Sequence, residues 1–267
     1  MSIPGWYGAL VALELLLAVA TFAGLRFVRA PYGRYATDRW GPTVPARFGW
    51  LVMESPAALV FAGFYLTGAH RADLVPLILL VLWQTHYVYR AFVYPWRLRG
   101  STRMPVVIAL MAVAFNLLNA YVNARWVTQY GDYPTRWLAD PRFLAGTVLF
   151  VAGLAVNRDA DRRLRALRAA GDARGAGPSQ RSTGETAGSG YQIPHGGLYR
   201  WVSCPNYLGE IVQWFGWALL SWSPAGLAFA VYTTANLLPR GIDHHAWYRE
   251  RFDGYPTGRR AVIPFVL

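Results

Sequence analysis

Long apolar runs separated by short polar stretches fill most of the chain. Continuous windows cover about Tyr7–Phe27, Phe48–Thr67, Val75–Tyr94, Pro105–Val127 and Phe143–Val156. A longer apolar stretch from Tyr207 to Leu238 contains a turn signal at Ser221–Pro224 and divides into two. A bilayer core about 30 Å thick takes about 20 apolar residues per helix, so the pattern predicts seven membrane-crossing helices. The runs are continuously apolar rather than alternating, which argues against a β-barrel. Between the fifth and sixth segments, residues 169–190 are rich in Gly, Ser, Ala and Thr and read as a linker or a lid.

Charge orients this pattern. All 26 basic residues are arginines, and they crowd into segments 26–47, 90–103, 158–200 and 240–260. The alternate connections hold few. Seven spans with the N-terminus outside place all four arginine-rich segments in the cytoplasm. The first apolar stretch has no basic residues before it and Arg26 and Arg29 after it, as a retained helix does and a cleaved leader does not. The expectation is all-α: an integral membrane protein of seven transmembrane helices, N-terminus outside and C-terminus cytoplasmic, in one domain over residues 1–267. The net charge of +12 then reflects topology and contact with anionic lipid, not a nucleic-acid surface.

Composition also removes several chemistries. Without lysine there is no Schiff base and no phosphate-loop lysine. The single Cys204 and the scattered histidines form no metal motif, so no metal is expected. No glycine fingerprint follows a strand, so a nucleotide would have to bind among the helices and cytoplasmic loops.

Ionisable groups at membrane depth are costly and usually face a partner or a cavity. Glu54 lies inside the second window, either as an interfacial residue near the helix start or as a buried acid able to donate a hydrogen bond. Tyr87, Arg90 and Tyr94 form one stripe on the third segment, as an aromatic belt or as a deeper functional face. Asn157, Asp161, Arg165 and Arg168 fall within roughly 80° of helix arc where the fifth span leaves the bilayer. Such a face is either a solvated helix end or a cradle for ribose and phosphate. Arg240, His244 and Tyr248, spaced by four, sit on a short C-terminal helix. Asn206 and Glu210 follow Pro205 at the start of the sixth span; Asn206 fits a first-turn cap, while Glu210 lies past it. One pocket open to the cytoplasm accounts for all these stripes together.

The segments "HYVYRAFVYPWRLRG", "YQIPHGGLYRWVSCPNYLGEIVQWFGWAL" and "HHAWYRERFDGYPTGRRAVIPFVL" resemble the steroid 5α-reductase family (3-oxo-5α-steroid 4-dehydrogenase). The resemblance implies an NADPH-dependent membrane reductase acting on a 3-oxo-Δ4-steroid. Glu54 and Tyr87 would hold the substrate's ketone. Asn157, Asp161, Arg168, Tyr191, Asn206, Glu210, Arg240, His244 and Tyr248 would line the cofactor, with Arg99, Arg103 and Arg259 as further phosphate or loop contacts. Residues 1–104 would form the substrate side. Residues 105–267, with the cytoplasmic loop 158–205, would form the cofactor side. The sequence departs from the vertebrate pattern at Met53, Leu98, Met111 and Asp243. Arginine as the only strong cation suggests a bacterial inner-membrane enzyme, a monomer with its active site open to the cytoplasm. The alternatives are a reductase of another enone lipid or an S-adenosylmethionine-dependent methyltransferase of the isoprenylcysteine type.

Overall fold

A computed structural model describes residues 3–31, 33–35, 38–98, 103–173 and 191–267. It is mostly helical, with seven α-helices among the described residues, one for each apolar segment. They are α1 (Gly5–Phe27), α2 (Ala46–Leu66), α3 (Leu74–Val88), α4 (Val106–Arg125), α5 (Pro141–Ala173), α6 (Pro205–Ser221) and α7 (Pro224–Arg251). By length and composition α1, α2, α4 with its C-terminal extension to Tyr130, and Pro141–Leu167 of α5 are long and apolar enough to cross a membrane. Their outward faces carry exposed Leu16, Val19, Leu59, Leu110 and Val148, an apolar exterior consistent with a membrane protein.

The helices pack in a defined order. Tyr7, Val11, Glu14 and Ala18, spaced for one helical face, form the buried stripe of α1, which meets α7 and α4. The Tyr7 hydroxyl ties α1 to α4 by donating to the Val122 carbonyl (2.8 Å). At the centre, Phe61, Trp83, Phe150, Trp214 and Trp217 interlock from four helices. The buried Trp83 and Trp217 indole N–H groups each find an acceptor, the Ala57 carbonyl and Asn123 Oδ1 (both 2.8 Å).

Three features differ from the sequence expectation. A two-stranded antiparallel sheet pairs β1 (Thr43–Pro45) with β2 (Arg103–Pro105). Since α2 and α4 start directly after these strands, the sheet launches them side by side, and Asn116 Nδ2 of α4 donates to the Met53 carbonyl of α2 (2.6 Å). Next, α3 and α4 each end in a π-helical turn, Tyr89–Val93 and Trp126–Tyr130. Finally, the C-terminal polar stripe sits on no separate helix: α7 runs unbroken through Pro239 from Pro224 to Arg251.

Candidate active site

The site begins with glycines. Along α5 and α6, Gly146 faces Gly216 and Gly153 faces Gly209, and a Cβ on any of them would collide with backbone atoms of the opposite helix. Both pairs are spaced by seven residues, so the two backbones stay in contact for two turns. Close approach then delivers the next polar residue: Asn157 Nδ2 donates to the Asn206 carbonyl (3.0 Å) and lies 3.4 Å from Glu210 Oε2. Asn157 and Asp161 are buried, one turn apart on the same face of α5.

Arg90 joins this pair to α2 and α3. It occupies the π-helical turn after α3, its guanidinium lying between the rings of Trp50 (4.5 Å) and Tyr94 (4.8 Å). From there it reaches Glu54 (3.5 Å), Asp161 (3.7 Å) and Glu210 (4.0 Å). Four chain segments therefore meet at one cation. One turn before it, the buried Tyr87 ring packs on Trp83 and Trp214, and no hydrogen-bond partner for its hydroxyl occurs among the described residues. Behind Tyr87, the Gln213 side-chain amide lies within hydrogen-bond distance of the buried His86 Nδ1, its nitrogen at 3.0 Å and its oxygen at 3.2 Å.

The C-terminal half of α7 forms the adjacent wall. Arg240 donates to the Tyr207 hydroxyl (3.2 Å), which also lies 3.1 Å from His244 Nε2. The His244 ring stacks on Tyr35 at 5.4 Å. Tyr248 is buried against Tyr255, and Tyr191 meets Trp247 edge-on. Nearby Arg259 is 4% exposed, yet its Nε and Nη1 have no acceptor among the described residues. Buried donors of this kind call for an anionic partner.

A family model described as 3-oxo-5-alpha-steroid 4-dehydrogenase matches residues 102–267. The chain is 42% identical to Steroid 5-alpha-reductase DET2 of Gossypium hirsutum over 257 residues, 94% of this chain and 93% of that protein. It is 40% identical to 3-oxo-5-alpha-steroid 4-dehydrogenase 1 of Bos taurus over 97% of this chain and 96% of that one. Against the Homo sapiens protein of the same name identity is 38%, covering 97% and 95%. The chain belongs to the steroid 5α-reductase family. It is an oxidoreductase of that family, and nothing in these matches favours the methyltransferase alternative.

Within this family member, Glu54, Asp161 and Glu210 come together around Arg90, Asn157 joins Glu210 and the Asn206 carbonyl beside them, and Tyr87 lies one turn away. Arg240, His244 and Tyr248 form the neighbouring wall, and Tyr191 lies beyond it against Trp247. Arg103 is held elsewhere: its guanidinium donates to the side chain (2.6 Å) and carbonyl (2.7 Å) of Thr43, across the strand pair. Arg165 lines a separate cavity between α5 and the end of α3. Arg99 and the side chain of Arg168 lie outside the described residues. Two participants did not stand out in the sequence. Arg90 was one residue of an aromatic stripe, although a lone cation flanked by Trp- and Tyr-rich apolar sequence is itself a signal. Tyr207, next to Asn206, carried none.

Proposed function

We propose that this protein is an integral membrane reductase that uses NADPH to saturate the 4,5 double bond of 3-oxo-Δ4-steroids. Its seven helices would cross a bacterial inner membrane with the N-terminus outside and the arginine-rich ends in the cytoplasm, the chain acting as a monomer. The observation that carries this reading is the junction at Arg90. There a substrate-side acid, Glu54, and the cofactor-side residues Asp161 and Glu210 share one guanidinium beside Tyr87.

The residues suit the two ligands. Amide, carboxylate and guanidinium groups from α5, α6 and α7 match the carboxamide, ribose hydroxyls and phosphates of a dinucleotide. Asn157, Asn206 and Glu210 would hold its nicotinamide end, with Asp161, Arg240, His244 and Tyr248 along its length. The unsatisfied nitrogens of Arg259 would supply a phosphate contact, and Arg168 is a further candidate. When bound, NADPH would supply the hydride that the enone accepts at C5. As that happens negative charge builds on the ketone oxygen, and the Tyr87 hydroxyl with protonated Glu54 would donate hydrogen bonds to it. Glu54 must carry a proton to donate in this way. Each such donor in a water-poor site is worth about 3–4 kcal/mol in the transition state. A proton from solvent completes the saturated ketone at C4. The aromatic walls around Tyr87 would admit an apolar substrate from the lipid while excluding water.

Purified protein in lipid, given NADPH and testosterone or progesterone, should consume the reduced nucleotide and yield the 5α-dihydro steroid. Nucleotide left intact with every 3-oxo-Δ4-steroid offered would remove the reading.

A further inference from the structure

A second polar cluster lies apart from the Arg90 junction. On α5, Arg158, Arg162 and Arg165 form a stripe roughly a quarter turn around the helix from Asn157 and Asp161. With Arg97 and Tyr89 they line a cavity of 340 Å³ between α5 and the end of α3. Its cations are held in place. Arg158 sits on the Tyr89 ring (3.2 Å) and donates to the Thr85 carbonyl (3.2 Å), and Arg97 donates to the Tyr89 hydroxyl (3.3 Å). Among the described residues the one carboxylate on the lining, Asp159, is already taken by Arg162 and by Arg163 (2.5 and 2.6 Å). Arg165 Nη1 is buried without an acceptor among the described residues.

Tyr89 is also the end wall of a second concavity. A 480 Å³ groove runs along the outer face of α3, lined by Leu80, Val81, Gln84, Thr85 and Val88 before reaching Tyr89 and Val93. Val81 and Val88 are 57% and 46% exposed on it. From Leu80 to Val88 the helix rises about 12 Å, close to the ~15 Å depth of one leaflet's hydrocarbon.

We propose that these two concavities are one site for an anionic glycerophospholipid, with the phosphate in the arginine cavity and an acyl chain along the α3 groove. A soluble anion would use only the cavity, and a zwitterionic lipid would gain little from four guanidiniums facing one neutralised carboxylate. This assignment rests on the cytoplasmic orientation proposed above, which puts the arginines at headgroup level. The bound lipid would bridge α5 to the π-helical turn that carries Arg90, and so brace that turn.

The test is native mass spectrometry of the detergent-purified full chain titrated with phosphatidylglycerol, phosphatidylcholine or inorganic phosphate. Phosphatidylglycerol should bind with a clear preference, and inorganic phosphate at matched concentration should not displace it. The Arg97→Gln/Arg162→Gln variant should lose about fivefold of that preference per arginine removed while still reducing steroid. Equal binding of the two lipids, displacement by phosphate, or an undiminished preference in the variant would each overturn the site. Because steroid reduction is assayed in the same preparation, the two readings can fail separately: an active enzyme without lipid preference sinks only the lipid site, and an inactive one with it sinks only the reductase.

Discussion

Replacing Arg90 by methionine would leave Glu54, Asp161 and Glu210 facing an apolar side chain. The guanidinium is 16% exposed, so its loss strands carboxyls in a poorly solvated site. Breaking a buried charge group costs about 3–5 kcal/mol, and thermal unfolding of Arg90→Met should fall well below the parent. An unchanged melting temperature would mean that the cluster is only nominal. Tyr87 and Glu54 predict a different signature. Tyr87→Phe removes one donor and keeps the ring packing on Trp83 and Trp214, so kcat should drop about 10²–10³-fold with NADPH affinity nearly unchanged. Glu54→Gln should behave likewise, and a collapse of nucleotide affinity in either variant would move that residue to the cofactor side. At this scale the sequence was most legible where a polar group stood inside an apolar run, as at Glu54, Asn157 and Glu210. The burial cost makes such residues conspicuous. Arg90 was not, because spacing along α3 says nothing of partners arriving from α2, α5 and α6. Arg103, a candidate for a phosphate or loop contact, holds Thr43 across the strand pair, and that partner comes from a strand too short to leave a pattern.

Among the elements, the α5–α6 seam and the C-terminal segment are the most sensitive. A methyl group on Gly153 would collide with backbone atoms of Gly209 and Gln213, and backbone cannot swing aside as a side chain can. Gly153→Ala should part the helices, cost about 1–3 kcal/mol and weaken nucleotide binding by drawing Asn157 away from Asn206. Unaltered nucleotide affinity would show that the seam does not set the site. Beyond α7, Ser203 Oγ holds His245 Nδ1 and the Tyr255 hydroxyl (2.6 Å each), while the Arg260 carbonyl accepts from it. Burial, with Arg249 and Arg260 nearby, holds the His245 imidazole below its ordinary 6.5. The folded chain then binds fewer protons here than the unfolded chain. Stability is complete above that value and declines as pH falls through it. Melting at about pH 5.5 against about pH 7.5 should show this acid sensitivity, and His245→Gln should reduce it; an equal decline in both proteins would contradict the assignment. The helices were readable from apolar runs and their ends from Pro205 and Ser221–Pro224. The π-helical turns were not, since they alter hydrogen bonding without altering hydropathy.

Over the whole molecule, apolar length and the distribution of arginine foretold the helices and proposed an orientation, while the packing order came only from coordinates. Glycines spaced by seven residues, a strand pair that starts α2 beside α4, and one cation shared by four segments are pairings across long stretches of chain. Together they bring Glu54, Asp161 and Glu210 to Arg90, where under the proposed function the substrate side and the nucleotide side would meet. The claim that a hydride crosses that meeting point has a direct measurement. Protein given NADPH deuterated at the transferable position and a 3-oxo-Δ4-steroid should release a 5α-dihydro steroid carrying deuterium at C5. Product with deuterium at another carbon, or no reduced steroid at all, would contradict the account.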